Sequence, residues 1–338
     1  MQESGLLQRF RRARVLVVGD LMLDEFIWGK VSRISPEAPV PVVWVQRESL
    51  MPGGAANVAN NIRALGGQVT VAGVVGDDRW GGLLLKELSS RAIDAGGVLT
   101  VRRPTTVKTR VIAHHQQVVR VDREHSEPLA SRTISQLIDF VTKQLERVEA
   151  VVIEDYGKGL ITRPLLEAVI PAARTRGKVV TVDPKEDHFE LYRGVSAITP
   201  NRAEASEAVG WELSGDADVR RAGTQLLRRL DVEAVLITLG EDGMHLFERD
   251  GRDLRIPTVA KEVFDVAGAG DTVIATFTLA LASGATMAQA ARLANQAAGI
   301  VVGKLGVAVA TPQELRATLQ PRSTTKRSAT GRPLRARR

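Results

Sequence analysis

The sequence predicts a three-layer α/β/α domain, with helices on both faces of a mostly parallel central sheet and a small β-sheet lid beside it. Three observations lead there. Short β-branched runs are apolar throughout, without the polar alternation of a half-exposed strand; amphipathic helical stretches separate them; and two regions break this rhythm by alternating as exposed strands do.

The continuous runs are RVLVVGD (14–20), QVTVAGVV (68–75), AVVIED (150–155), VVTVD (179–183), SAITP (196–200) and AVLITLG (234–240). Helical stretches fall near 55–65, 79–93, 131–147, 162–176 and 217–230. Two later helices carry start signals: Thr286 with Gln289 makes a capping box, and TPQE (311–314) puts Pro312 at the first helical position. The exceptions are APVPVVWVQRE (38–48) and TTVKTRVIAHHQQVVRVDRE (105–124), which alternate with no helix between the halves of the second. They predict an antiparallel flap outside the main sheet, with lid strands at about 25–48 and 105–122. With no internal repeat and no low-complexity linker, residues 1–320 read as one domain and 321–338 as a tail.

With 338 residues, 44% of them hydrophobic, the chain can bury a sizeable core. The absence of cysteine excludes disulfides, thiol nucleophiles and cysteine metal sites, and suits a reducing cytoplasm. The longest nearly apolar run, VIATFTLALASGA, is too short to span a bilayer, so no membrane association is expected. The opening RRARVLVVGDLML resembles a signal peptide, but Asp20 interrupts it and no small-residue cleavage site follows, so it reads as a buried first strand. The net charge of +7 resides in the tail: setting its seven basic residues aside from the total of 46 leaves 39, equal to the 39 acids. The tail is expected to be disordered and solubilising, and nucleic acid is not an expected partner.

Several familiar sites are absent. There is no G-x-G-x-x-G, no G-x-S-x-G, and none of the four GK pairs has the glycine that a Walker loop requires. His114 and His115 would point to opposite faces of a strand and could not share a metal.

Three segments carry candidate chemistry. In FDVAGAGDT (264–272), Gly268, Ala269 and Gly270 let the backbone approach a ligand, and the helix that follows offers unpaired N–H groups to an anion. Asp271 would cap that helix or, with a phosphoryl group on the amides, accept a proton from an attacking hydroxyl. In MPGGAANVANNIRALG (51–66), Gly53 and Gly54 open a helix bearing Asn57, Asn60 and Asn61; such amides both donate to and accept from a polyol, though an ordinary glycine turn reads equally well. In GDLMLD (19–24), Asp20 and Asp24 lie at the carboxyl end of the first strand, where open α/β sheets bind ligands.

GGAANVA and DVAGAGDT together resemble the two signatures of the ribokinase-like (PfkB) carbohydrate kinases. DPK (183–185), TPNRAE (199–204), TLGEDG (238–243) and ANQAAGIVVGKLG (294–306) follow in that family's order. The resemblance covers residues 12 to 320 and implies a kinase using ATP and Mg2+. GDLMLDEFIWGKVSRISPEAPVPVV, the KTR…QQ…RVD lid and EDYGKG are similar to the branch that phosphorylates the anomeric hydroxyl of D-glycero-β-D-manno-heptose 7-phosphate on the way to lipopolysaccharide core. Two departures stand out: HHQQ where arginine and asparagine are usual, and Glu186 after DPK where glycine is expected. The chain lacks the H-x-G-H motif of a fused nucleotidyltransferase, so the resemblance is to a stand-alone kinase.

The resemblance implies these roles. Asp271 takes the proton from the sugar's 1-hydroxyl while the 268–270 amides hold the transferring phosphoryl group. Asp20, Asp24, Gly53, Gly54 and Asn57 grip the sugar, and Lys108, Arg110 and Arg120 face its distal phosphate. Asn201 and Glu204 of N-x-x-E act on magnesium through water, although Asn201 as a helix cap with Glu204 three residues on would explain the same spacing. Thr238, Gly240, Gly243 and Asn295 contact the nucleotide, and Lys158 and Lys185 reach its phosphates. A homodimer through the lid is implied as well. The alternatives are a kinase of the same family for another sugar or a nucleoside, and a catalytically silent sugar-binding scaffold.

Overall fold

The computed structural model describes residues 3–114, 116–260 and 263–319; His115 and the 321–338 tail lie outside them. The strands in chain order are β1 (Arg14–Gly19), β2 (Leu21–Ile34), β3 (Pro41–Gly54), β4 (Gln68–Gly76), β5 (Asp94–Val101), β6 (Thr106–Ala113), β7 (Gln116–Arg123), β8 (Ala150–Glu154), β9 (Val179–Asp183), β10 (Ala197–Ile198), β11 (Ala234–Thr238), β12 (Met244–Glu248) and β13 (Asp253–Ile256). Nine of them form one sheet in the order β13-β12-β11-β10-β9-β8-β1-β4-β5. It is parallel from β11 to β5, and β12 and β13 extend it antiparallel at one edge.

Alternation along the buried strands produces the three layers. Val15 and Val17 of β1 pack with the helices Ala55–Ala64, Ala269–Ala282 and Met287–Val301, while Leu16 and Val18 pack on the other face with Ser131–Gln144, Arg163–Thr175 and Asp216–Leu230. Because both faces are covered, β1 and β8 have no polar face, which is why they read as unbroken apolar runs.

The lid is a second sheet, ordered β3-β2-β6-β7. It departs from the antiparallel flap expected: β2 and β6 pair in parallel, with antiparallel partners on each side. Connectivity explains this. β2 leaves the carboxyl end of β1 and β6 follows β5, and β1 and β5 run the same way, so the two lid strands emerge in one direction. The first lid hairpin is also longer than predicted, reaching back to Leu21 and forward to Gly54. His114 sits in the turn after β6 at φ 49°, with Nε2 against the Val31 backbone, so it does not extend a strand.

From β1 the chain runs outward through β4 and β5, then returns to β8 on β1's other side. This reversal makes the β1/β8 boundary the switch point where such sheets open a crevice at their carboxyl ends.

Candidate active site

Asp20 follows β1 directly and is buried at that switch point. Its Oδ2 accepts the backbone N–H groups of Tyr156 and Lys158, both at 3.0 Å. Its Oδ1 is equally buried and meets no donor among the described residues. Burial pushes the Asp20 carboxyl up to about 6, against the pull of these amides.

Asp271 lies across the crevice, three residues beyond Gly268, which is the N-cap of the helix Ala269–Ala282. It therefore does not occupy the capping position. Its Oδ2 accepts from Asn57 Nδ2 at 2.6 Å and its Oδ1 from the Tyr156 hydroxyl at 2.8 Å. Burial raises it to about 6; the two donors resist that rise and nearby Asp24 adds to it. Tyr156 is held well above the usual phenol range by burial and by Asp271, so it stays a donor. Asn57 is fixed in turn: Asn61 Nδ2 donates to its carbonyl at 3.0 Å, and Thr272 Oγ1 donates to Asn61 Oδ1 at 2.9 Å. Sequence reasoning singled out Asn57 and Asp271 and missed Tyr156, whose only signal was its place in EDYGKG at the end of a strand.

The glycines earn their places sterically. Gly268 has φ 75°, and a Cβ there would come within 2.8 Å of Asn57 Nδ2. Gly54, at φ 55°, would press a Cβ onto the Asp20 carbonyl at 2.6 Å, and a Cβ on Gly53 would collide with the Asp24 carboxylate. Of the three amides expected to face an anion, that of Ala269 turns back to the Val266 carbonyl at 3.2 Å. Gly270 lines the adjoining cavity at the first turn, where helical N–H groups lack intrahelical acceptors.

That cavity has a volume of about 430 Å3. Thr238, Gly240, Gly243 and Asn295 line it together with Ala269 and Gly270, and Met244, Val273 and Val302 give it an apolar wall. Gly243, at φ 87°, leaves no room for a side chain beside the Ile256 carbonyl, and Asn295 Nδ2 is held by the Pro257 carbonyl at 2.8 Å. The cavity suits a flat, largely apolar group, and the helix N-terminus beside it suits an anion.

The lid cations are compensated by acids. Arg110 pairs with Asp24, Lys108 lies 3.5 Å from Asp122 and 3.7 Å from Glu124, and Lys158 lies 3.0 Å from Glu124. Arg120 sits on the outer lid strand β7, half exposed and paired with Asp122, as the register partner of Arg110. Arg103 was not anticipated. It is half-buried, feels Asp20 electrostatically, and donates to the Glu127 carbonyl at 3.1 Å, with no carboxylate partner among the described residues.

Asn201 and Glu204 form a capping box: Asn201 Oδ1 accepts from Ala203 and Glu204, and Glu204 Oε2 accepts from Asn201. One Glu204 oxygen remains free of this arrangement, and burial raises its carboxyl to about 6. Lys185 pairs with Glu186, so the residue standing where glycine is usual neutralises the lysine beside it. An oxygen-only donor set with carboxylates that burial makes costly to ionise fits a hard divalent cation.

An α/β sheet that sets a buried carboxylate between a polar crevice and an apolar cavity at a helix N-terminus has the layout of a small-molecule kinase. The chain belongs to the pfkB family of carbohydrate kinases, whose profile matches residues 12–314. Among curated proteins it is 49% identical over 319 residues to the bifunctional protein HldE of Geobacter metallireducens, and 47% identical over 312 residues to that of Desulfatibacillum aliphaticivorans. These alignments cover 93% and 92% of this chain but 65% and 64% of those proteins, so the chain spans just under two thirds of their length. In fold it resembles phosphofructokinase-2 from Escherichia coli in complex with substrates and products (TM-score 0.75, 21% identity, 91% of this chain and 98% of that one). It also resembles ribokinase from Arabidopsis thaliana complexed with ribose and ATP (TM-score 0.73, 20% identity, 91% and 99%).

Proposed function

We propose that this protein transfers the γ-phosphoryl group of ATP to the anomeric 1-hydroxyl of D-glycero-β-D-manno-heptose 7-phosphate, giving the 1,7-bisphosphate. The observation that carries this reading is the position of Asp271, a buried carboxylate between the Asp20 crevice and the helix N-terminus that borders the apolar cavity. Identity of 47–49% to proteins named HldE supports the heptose branch over other sugars.

Each side chain has a role in this scheme. Asp20 Oδ1 accepts from a sugar hydroxyl, and Asn57 and Tyr156 aim the Asp271 carboxylate at the attacking one. Asp271 takes that hydroxyl's proton as the oxygen attacks phosphorus. The Gly270 amide and the helix dipole stabilise negative charge on the transferring group. Glu204, with Asn201 behind it, would hold magnesium through water, and magnesium bound there would supply positive charge to the nucleotide phosphates. At the far end of the crevice Arg103, Lys108 and Arg110 receive the 7-phosphate, which displaces part of the acid pairing that Lys108 and Arg110 now make.

The test is ADP release with ATP and Mg2+ across heptose 7-phosphate, ribose, fructose and fructose 6-phosphate. A signal with heptose 7-phosphate at least about tenfold above the others in kcat/KM is expected. A preference for an unphosphorylated sugar would overturn the assignment.

A further inference from the structure

Asp155 follows β8 and immediately precedes Tyr156, the phenol that donates to Asp271. Its side chain is 0% exposed, and both of its oxygens are used. Oδ1 accepts the Gly157 N–H at 2.8 Å, which closes an Asx turn whose middle residue is Tyr156. On Oδ2 the Tyr192 hydroxyl converges at 2.7 Å and His188 Nδ1 at 2.6 Å. Both partners belong to the 3-10 helix Glu186–Tyr192, which follows β9. The Tyr192 hydroxyl also accepts the Lys185 N–H at 3.1 Å, and the Lys185 methylenes lie over Gly157, where a Cβ would meet them at 3.4–3.5 Å. Burial and Asp155 hold Tyr192 above the usual phenol range, so it remains a donor.

If Asp155 only filled space, an apolar residue of similar size would spare the cost of burying a carboxylate. Its bonds do more than satisfy it. They fix the backbone on both sides of Tyr156: the Asp155 N–H donates to the Asp183 carbonyl at 3.2 Å before it, and the turn closes after it. The same stretch presents the Tyr156 and Lys158 N–H groups to Asp20 Oδ2. One carboxylate therefore joins the loop that orients Asp271 and Asp20 to the loop that carries Lys185. A tyrosine hydroxyl displaced by about 1 Å would lose its 2.8 Å bond to Asp271, since little remains of a hydrogen bond beyond about 3.5 Å.

We propose that Asp155 is a positioning residue for the reaction, acting through Tyr156 on Asp271, and that Tyr192 is the strut tying this action to Lys185. Its part in turnover rests on Asp271 being the base, as proposed above. It does not depend on which sugar is phosphorylated.

The chain has 2 tyrosines, Tyr156 and Tyr192, so the full chain labelled with 13C at tyrosine Cζ gives one signal for each, and Tyr192→Phe leaves Tyr156 alone. At about pH 8, where Asp271 is ionised, and without substrate, the Tyr156 signal reports its bond to that carboxylate. Asp271→Asn supplies the position of the signal when the carboxylate is gone. Asp155→Asn keeps the side chain's shape but turns an NH2 group towards donors, and Tyr192→Phe removes one of those donors. Both should move the Tyr156 signal towards its Asp271→Asn position, and Tyr192→Phe decides alone if Asp155→Asn does not fold. ADP release, with whichever sugar the protein turns over, reads the consequence. Asp155→Asn should lower kcat by about tenfold, but by less than about twofold in a Tyr156→Phe chain, where the group it acts through is gone. A Tyr156 signal unmoved in the variants overturns the proposal, and so does a kcat loss of the same factor with and without the Tyr156 hydroxyl. The signal needs no sugar, so a wrong sugar assignment would show in the substrate comparison and leave the signal as it is.

Discussion

Asn57 Nδ2 donates to Asp271 Oδ2 at 2.6 Å, joining two residues 214 positions apart and tying the two glycine-rich segments into one site. The bond favours the ionised form of a carboxyl that burial otherwise drives towards neutrality. A base must be ionised to act, so Asn57 and Tyr156 would both hold Asp271 in the form that the proposed role requires. Asp271→Asn should lower kcat by about a thousandfold while sugar still binds, read by ADP release alongside calorimetry. Turnover within tenfold of the wild type would remove Asp271 as the base.

The same balance sets a pH dependence. With Asp271 near 6, kcat/KM should fall about tenfold per pH unit below 6 and level off above 7. Tyr156→Phe removes one bond to the ionised carboxylate, so the acid limb should move to higher pH, with most of the rate recovered by pH 8–9. A purely structural loss would lower the whole profile without moving its limb.

Stability should show the opposite preference. The folded-state value of about 6 exceeds the unfolded value of 3.8, so the folded protein binds this proton more tightly than the unfolded chain. The stabilisation is fully present below pH 4 and lost as pH rises through 6. A charged Asp271 then costs on the order of 3 kcal/mol, an upper figure for a buried group. Asp271→Asn should therefore melt higher than the wild type at pH 8 and lose that advantage near pH 4. An equal gap at both pH values would show that the carboxyl carries no such charge cost.

Much of this was legible because the pattern and its physical cause coincide. β1, β4, β8 and β9 were visible as apolar runs since both their faces are buried, and the capping boxes at Thr286 and Asn201 were visible since each needs two residues at fixed spacing. The lid's parallel β2–β6 pair was not, since its direction follows from where β1 and β5 end, and no local pattern encodes that. Nor was Tyr156 legible as a neighbour of Asp271. It sits in the exit loop of a segment that reads as a strand, and its hydrogen bond to Asp271 appears only when the helix Ala269–Ala282 packs across β8. The lid cations were readable as charges but not as pairs: β2 and β6 set Lys108 opposite Asp24 and Arg110 opposite Phe26, and Arg110 reaches Asp24 diagonally across the two strands.

Gly268 is a position where even alanine should fail. Its φ of 75° disfavours any L side chain, and the added Cβ would push on the amide that orients Asp271. Gly268→Ala should cost about 1–3 kcal/mol in stability and at least about tenfold in kcat. Gly270→Ala is the control, since nothing lies within 4 Å of a Cβ there; it should lose activity only in so far as the side chain crowds a phosphate. Equal stability losses in both variants, by chemical denaturation, would mean that the Asn57 contact is not what decides.

The lid offers a final prediction. Trp44 is 69% exposed, and Ile34, Val40 and Val45 on the same hairpin are exposed with it. Val119 and Val121 add apolar surface on the outer strand β7. Such residues in one small sheet are unfavourable in water unless something covers them, and a second copy of the lid is the occupant that a homodimer would supply. Trp44→Asp places a charge on that patch while touching nothing in the crevice. Light scattering should then show a dimeric wild type and a monomeric variant, with the variant's fold intact by circular dichroism. A wild type that is monomeric at micromolar concentration would remove the lid as a dimer interface, and an unchanged dimer in the variant would move the interface elsewhere.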